Sequence, residues 1–120
     1  MATFSKQILS GSTDGKAIKV AATASSGTTI HTASSTATTL DEVWIYAVNT
    51  STSDVKLTVQ WGGTTATDDD IEFTVKAENG LYLIIPGLIL KGNATPLVVR
   101  AFAATANVIT LTGYVNRIAA

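Results

Sequence analysis

The sequence predicts an all-β protein, an antiparallel β-sandwich of roughly eight to ten strands, and three observations support this. Apolar and polar residues alternate over strand-length segments such as 55–61 and 70–76, and a period of two marks strands with one buried face. Turn-forming residues separate the candidate strands, and no segment shows helical periodicity over three turns. The connections are too short for helical crossovers, which favours antiparallel pairing. We expect a jelly-roll-like sandwich, although spacing alone leaves the strand order open.

The elements follow from the same alternation and from the turns between them. The predicted strands are residues 17–23, 28–34, 41–49, 54–61, 70–76, 81–85, 88–90, 97–103 and 108–118, preceded by residues 1–10 as an N-terminal arm or edge strand. Asp14-Gly15 and Asn79-Gly80 favour tight two-residue turns. Pro86-Gly87 is predicted to interrupt the apolar run around it, because proline cannot donate a hydrogen bond to a neighbouring strand.

Two of these strands, within segments 43–48 and 81–85, are apolar on both faces. A strand of that kind is covered on both faces, so something outside the two layers must cover the second one. The cover is either a loop of this chain or another subunit. Aromatic side chains such as Trp44 and Tyr46, which share a strand face, are enriched at subunit interfaces. The predicted interface residues are Trp44, Tyr46, Tyr82 and Ile84, with Phe4 and Ile8 on the N-terminal arm.

Composition narrows the class of protein. The length of 120 residues fits one domain, residues 1–120. Charged residues make up 14% of the chain, against about 25% in an ordinary soluble domain. A monomer normally relies on surface charge for solubility, so either neighbouring molecules bury much of this surface or it is a neutral skin of hydroxyl groups.

Several partners and compartments are excluded by the same composition. The net charge is −1 with no basic stripe, so neither nucleic acid nor an anionic membrane is an expected partner. The absence of cysteine rules out disulfides and thiolate metal sites. The N-terminus has no apolar signal-peptide core, and the longest apolar run, 81–90, is too short to span a membrane. We expect a soluble protein made in the cytoplasm.

Few residues suggest catalysis. His31 is the sole histidine, and a structural or surface role is expected because no acid and nucleophile are evidently paired with it. Asp68–Asp70 with Glu72 is the best metal candidate, but the run lacks a calcium-loop spacing and reads as a solvated turn. These residues and Asp41-Glu42 are also the candidate carboxylate pairs for glycoside hydrolysis, but nothing in the sequence indicates that they converge. The sequence therefore predicts no enzyme and no cofactor.

Exposed aromatic residues offer one further alternative, a carbohydrate-binding face. Trp44, Tyr46, Trp61 and Tyr82 could stack on sugar rings. Trp61 fits the alternating core stripe instead, and for the other three a place in the core or at a subunit interface is favoured.

Three segments carry a family resemblance. They are residues 6–20 (KQILSGSTDGKAIKV), the Ala/Thr/Ser tract through 28–33 (TTIHTA), and residues 41–50 (DEVWIYAVNT). In style and length they resemble small virion proteins of tailed bacteriophages, in particular capsid decoration (cement) proteins. The likeness spans most of the chain and includes no short diagnostic motif, so no functional residues are carried over.

The resemblance implies a non-enzymatic β-domain that binds the major capsid protein and stabilises the expanded head shell as a homo-oligomer, expected to be a trimer. Its location would be the head surface of the virion. Residues 1–10 would reach the shell as an arm or an added edge strand. The alternatives are a neck, tail or fibre component of the virion, and the carbohydrate-binding β-sandwich.

Overall fold

The computed structural model describes residues 2–119, which form nine strands and no helix. The strands are β1 (Thr3–Ile8), β2 (Ile18–Lys19), β3 (Thr28–Thr32), β4 (Thr39–Asn49), β5 (Val55–Trp61), β6 (Asp70–Val75), β7 (Tyr82–Lys91), β8 (Val98–Ala103) and β9 (Ile109–Ala119). Within residues 2–119 there is accordingly no helix long and apolar enough to cross a bilayer.

The strands form two sheets. The five-stranded sheet has the order β1–β9–β4–β7, and the short β2 also pairs with β9. The four-stranded sheet has the order β3–β8–β5–β6. Every strand pair is antiparallel. The predicted antiparallel β-sandwich is therefore confirmed, and the nine strands of residues 2–119 lie within the expected number.

Aliphatic side chains fill the space between the sheets. On β4, Val43, Ile45 and Ala47 point inward and are fully buried, while the residues between them point outward. Leu57 and Val59 of β5 meet them from the other sheet and are equally buried. Removing apolar surface from water in this way is the main favourable contribution to folding. The same alternation decides which side chains remain on the outer face of each sheet.

A loop covers part of the four-stranded sheet. Gln60 alternates with the inward-facing Val59, and yet its amide is buried. Its Oε1 accepts a hydrogen bond from the Gly27 backbone N–H (2.9 Å), and its Nε2 donates to Ser25 Oγ (2.8 Å). The loop before β3 thus lies against this sheet. A loop was one of the two covers predicted for segment 43–48. That segment belongs to the five-stranded sheet, so the loop before β3 is not the predicted cover.

The edge strand β7 is continuous, so the predicted interruption at Pro86-Gly87 is wrong. Trp44 lies opposite Pro86 while Val43 lies opposite Leu88, which makes Gly87 an extra residue in the pairing. Gly87 has a φ of +79°, a conformation that glycine adopts without strain. Pro86 is tolerated because an edge strand has backbone groups that need no partner. The strand continues through a β-bulge.

Two other local predictions also change. Segment 17–23 contributes only the two-residue β2. Asp14 and Gly15 have the positive φ angles of a tight turn (57° and 86°), but they join β1 and β2, which both pair with β9 and not with each other. At the second turn Glu78 and Gly80 have positive φ, and Asn79 does not. The two-residue turn predicted for Asn79-Gly80 requires positive φ at both positions, so that prediction is wrong.

The N-terminal segment forms an edge strand. β1 pairs with β9 from Thr3 opposite Ala119 to Ile8 opposite Tyr114. Met1, the first residue of the predicted arm, lies outside the described residues. The expectation of an edge strand within residues 1–10 is met by β1.

Candidate interaction surface

The outer face of the five-stranded sheet is the surface that the predicted interface residues point to. Strand register assigns its members, which we call the outer face: Phe4, Lys6 and Ile8; Leu40, Glu42, Trp44, Tyr46 and Val48; Leu83, Pro86, Ile89 and Lys91; Thr110, Thr112, Tyr114, Asn116 and Ile118. Aliphatic and aromatic residues predominate, and the face carries only three charged side chains. Phe4 is 73% exposed and Ile89 54%, so water reaches both edges.

An aromatic pair lies at the centre of this face. Trp44 and Tyr114 are direct cross-strand partners, and their rings stack with centroids 6.1 Å apart and planes 13° from parallel. Lys6 Nζ lies 4.9 Å from the Tyr114 ring centroid, a cation–π arrangement. The indole extends over Gly87, where a Cβ atom would come within 2.8 Å of its Cζ2. The bulge on β7 therefore makes room for the tryptophan.

A carboxylate fixes the tryptophan from the side. Trp44 Nε1 donates a hydrogen bond to Glu42 Oε1 (2.7 Å), and Asn116 Nδ2 donates to the same oxygen (2.9 Å). These two bonds hold the pKa of Glu42 below its usual value of 4.5, against a smaller opposing effect of desolvation. Glu42, Asn116 and Lys6 also line a shallow depression of about 280 Å³, together with Phe4 and Ile118. The centre of the face is thus an ordered aromatic patch with a small polar margin.

The structure brings together four of the six predicted interface residues. Phe4, Ile8, Trp44 and Tyr46 all lie on the outer face, Phe4 and Ile8 exposed and the two aromatic residues half-buried.

Tyr82 lies elsewhere. It is opposite the inward-facing Ala47, at the end of β7, and it is exposed. Tyr82 lines a separate pocket of about 260 Å³ with Thr74, Lys76 and Asn79. It belongs to the end of the sandwich and not to the outer face.

The assignment of Ile84 to the interface is wrong. Ile84 is 5% exposed and belongs to the core. The register shifts between Ile45 and Tyr46, whose partners are Ile85 and Leu83, so Ile84 is an extra residue in β7. This second bulge breaks the alternation by which Tyr82 and Ile84 were placed on one face. Leu83 takes the outward position instead.

Sequence reasoning missed several outer-face residues, chiefly Tyr114, Glu42, Asn116 and Ile89. Tyr114 lies in a predicted strand, but nothing local indicates that this strand pairs with β4. An outward-facing tyrosine next to threonines at alternate positions was the available signal.

A buried charged network lies on the inner side of the same sheet. Asp41 is fully buried and accepts hydrogen bonds from Arg117 Nε (2.7 Å) and Nη2 (2.9 Å) and from His31 Nε2 (2.8 Å). The Ser10 backbone N–H donates to His31 Nδ1 (3.1 Å), which requires Nδ1 to be the unprotonated acceptor. Every polar atom of the imidazole therefore has a partner. His31 is a structural residue that joins the two sheets.

This network shifts two pKa values. Burial by itself would raise the pKa of Asp41, but the hydrogen bonds from Arg117 and His31 and the positive charge of Arg117 outweigh it and lower that pKa. The hydrogen bond to Asp41 raises the pKa of Arg117. Both groups are therefore held in their charged forms.

The other candidate sites are not assembled. In residues 2–119 no three side chains of His, Cys, Asp or Glu come together as metal ligands. Asp69 of the acidic run instead accepts the Thr65 backbone N–H (3.0 Å), and Glu72 pairs with Lys56 (2.9 Å). Asp41 and Glu42 point to opposite faces of β4, so they do not form a carboxylate pair across one substrate.

Comparison with known proteins adds no relative. No protein-family model, no curated protein and no solved structure matches the chain.

Proposed function

We propose that the chain is a non-enzymatic structural protein of a phage virion that works by assembly through the five-stranded sheet. The observation that carries the proposal is the placement of its exposed large apolar side chains. Among the described residues these are Phe4, Ile8, Leu81, Tyr82, Leu83, Leu88 and Ile89. All lie on β1 or β7 or directly beside β7, and these are the two edges of one sheet. The four-stranded sheet contributes none of them.

The size of the outer face suits a stable contact. Its central strands β4 and β9 each have 11 residues, which corresponds to about 37 Å at 3.4 Å per residue. Four strands at about 4.8 Å give a width of about 19 Å, and hence a flat area of roughly 700 Å². A stable interface buries about 800 Å² on each partner. The face is therefore slightly smaller than the average interface but lies within the range of about 600–1,000 Å² per partner that stable interfaces bury.

The strand order supports a jelly-roll assignment, which is part of the proposal. β1 and β2 pair with the same edge of β9. Counted as one interrupted strand, they leave eight strands in two four-stranded sheets. Jelly rolls have eight strands in two sheets and occur in viral capsid and lectin domains. A fold alone does not define a function, so this observation supports the virion assignment only together with the outer face.

Within the virion we propose a capsid decoration protein. The sequence resemblance favours this role, and the low charge fits a domain whose surface is covered by neighbours. A homotrimer bound to the major capsid protein would hold several shell subunits at once, and such multivalent contact strengthens weak individual contacts. The protein would be made in the host cytoplasm and reside on the head surface.

Co-sedimentation with phage shells tests the proposal. The full chain is incubated with expanded and with immature heads, and the bound fraction is measured. We expect binding to expanded heads, with Ile89→Lys lowering it at least tenfold because a charge enters the apolar face. Thr74→Lys is the matched control, since Thr74 is exposed on β6, an edge strand of the other sheet. Equal loss in both variants, or no binding by the unaltered chain, would reject the proposal. Antibody label on the tail alone would favour a neck, tail or fibre subunit.

A carbohydrate-binding role is the second candidate, and one observation favours it. Trp44 and Tyr114 present nearly parallel rings beside Glu42 and Asn116, and sugars bind to such apolar ring faces with hydrogen bonds at the margin. Glycan-array binding that is lost in Trp44→Ala would support this role. An array without signals would remove it.

A further inference from the structure

β1 is attached to the sandwich far more loosely than its neighbours. It pairs with β9 alone, and none of its six side chains is buried: five are exposed, and Gln7 is intermediate. Strands such as β4 are held by buried side chains as well as by backbone hydrogen bonds. β1 has only the backbone pairing and contacts along one side. It can therefore leave β9 without opening the core.

The chain is fixed firmly just after β1. Leu9 is 1% exposed in the core. The Ser10 N–H donates to His31 Nδ1 (3.1 Å), and Ser10 Oγ accepts the Thr32 N–H (2.6 Å). The Gly11 N–H donates to the Ile30 carbonyl (2.9 Å). The boundary between the loose and the fixed segments therefore falls at the bond between Ile8 and Leu9.

The strand carries apolar side chains that gain little in an isolated molecule. Phe4 and Ile8 point to the outer face and are 73% and 49% exposed. Their positions on β9 are nevertheless specific, since Phe4 lies opposite Ile118 and Ile8 opposite Tyr114. Every copy of the chain offers the same β9 edge, and so the β1 of a second copy fits it in the same register. Exchange of an identical element is a low-cost route to oligomers.

We infer that β1 is an exchangeable strand and that the partner it binds is a second copy of this chain. Residues Thr3–Ile8, about 20 Å when extended, leave their own β9 and pair with the β9 of a neighbour. Reciprocal exchange closes a dimer, and cyclic exchange closes a ring such as a trimer. The exchanged strand keeps the register of β1 on β9 and completes the five-stranded sheet of the neighbouring copy. The inference deepens the proposed assembly role, because it names the contact that joins the copies.

Disulfide trapping tests the exchange, and the chain has no cysteine of its own to interfere. Lys6 and Asn116 lie directly opposite each other, at the 4.5–5.5 Å Cα separation of antiparallel partners, which a disulfide accepts. Two full-length chains with tags of different mass, one with Lys6→Cys and one with Asn116→Cys, are co-expressed and oxidised after lysis. Phe4→Cys with Ile118→Cys is a second pair, in case the first folds poorly.

The control is a pair on the opposite edge of the same sheet. Leu40→Cys and Lys91→Cys join β4 to β7 across an equivalent register, and β7 is not a terminal strand. We expect the mixed disulfide to be at least tenfold more abundant for the β1–β9 pair than for this control pair. Equal amounts in both pairs, or no mixed disulfide in either β1–β9 pair, would overturn exchange. Shell binding is measured separately. Failure of exchange with intact shell binding leaves the proposed function in place, and loss of shell binding with intact exchange leaves the exchange of β1 in place.

Discussion

Replacing Asp41 with asparagine removes a buried negative charge whose hydrogen bonds to His31 and Arg117 link the two sheets. The carboxylate is fully buried and accepts three N–H bonds of 2.7–2.9 Å, two from Arg117 and one from His31. An amide has one oxygen, so its NH2 group must face one of these donors. Arg117 then loses its counter-ion while its side chain is only 25% exposed.

The expected cost follows from this geometry. Breaking a buried ion pair by removing one partner costs about 3–5 kcal/mol. We expect about 3 kcal/mol for Asp41→Asn, the lower end, because water still reaches part of Arg117. Domains of this kind have a total free energy of unfolding of about 5–15 kcal/mol. The melting temperature should therefore fall by about 10 °C.

Urea unfolding followed by circular dichroism at several pH values is the assay. The folded-state pKa of Asp41 lies below its ordinary value of 3.8, so its stabilising effect is complete above the unfolded-state pKa and is lost as the pH falls through the folded-state pKa. The difference between the two proteins should be largest near neutral pH and should shrink below about pH 4. Asp54→Asn is the control, since Asp54 also has a lowered pKa but lies on the surface. Equal effects of both substitutions, or a difference that does not change with pH, would refute the reasoning.

Three further predictions concern β7 and the aromatic patch. Gly87→Ala places a Cβ within 2.8 Å of the Trp44 ring at a φ of +79°. We therefore expect the free energy of unfolding in urea to fall by about 1–3 kcal/mol and the tryptophan emission spectrum to shift. Unchanged values of both would contradict the bulge geometry. The Trp44 emission should titrate with a midpoint below pH 4.5, because Glu42 has a lowered pKa, and Glu42→Gln should abolish that titration. Ile84→Ala should cost about 2–4 kcal/mol as a core truncation, whereas Ile89→Ala, at an exposed position, should change the stability by less than about 0.5 kcal/mol; similar losses would argue against the second bulge.

The sequence predicted the strands wherever the alternation was unbroken. β4 and β5 are examples, since Val43 and Leu57 lie in runs whose inner and outer positions could be counted directly. The prediction failed on β7 because two extra residues, Ile84 and Gly87, shift the register. A period of two gives the wrong face to every residue counted across a bulge.

The candidate site was predicted in part. Trp44 and Tyr46 were placed on one strand face by their spacing, and that face proved to be the outer one. Tyr114 could not be found in this way, because it is 70 positions from its partner Trp44 and strand pairing of that range leaves no local pattern. The same limit concealed the contact of Arg117 with Asp41. Long-range pairing, which is set by the whole fold, was the missing information.

The molar mass of the full-length chain at equilibrium tests the proposed assembly most directly. Sedimentation equilibrium between about 1 and 100 μM spans the affinities of ordinary specific complexes. We expect a species of three times the chain mass of 12.4 kDa, which dissociates in Ile89→Lys and persists in Thr74→Lys. A single species of 12.4 kDa at every concentration would contradict the proposed assembly of copies through the five-stranded sheet.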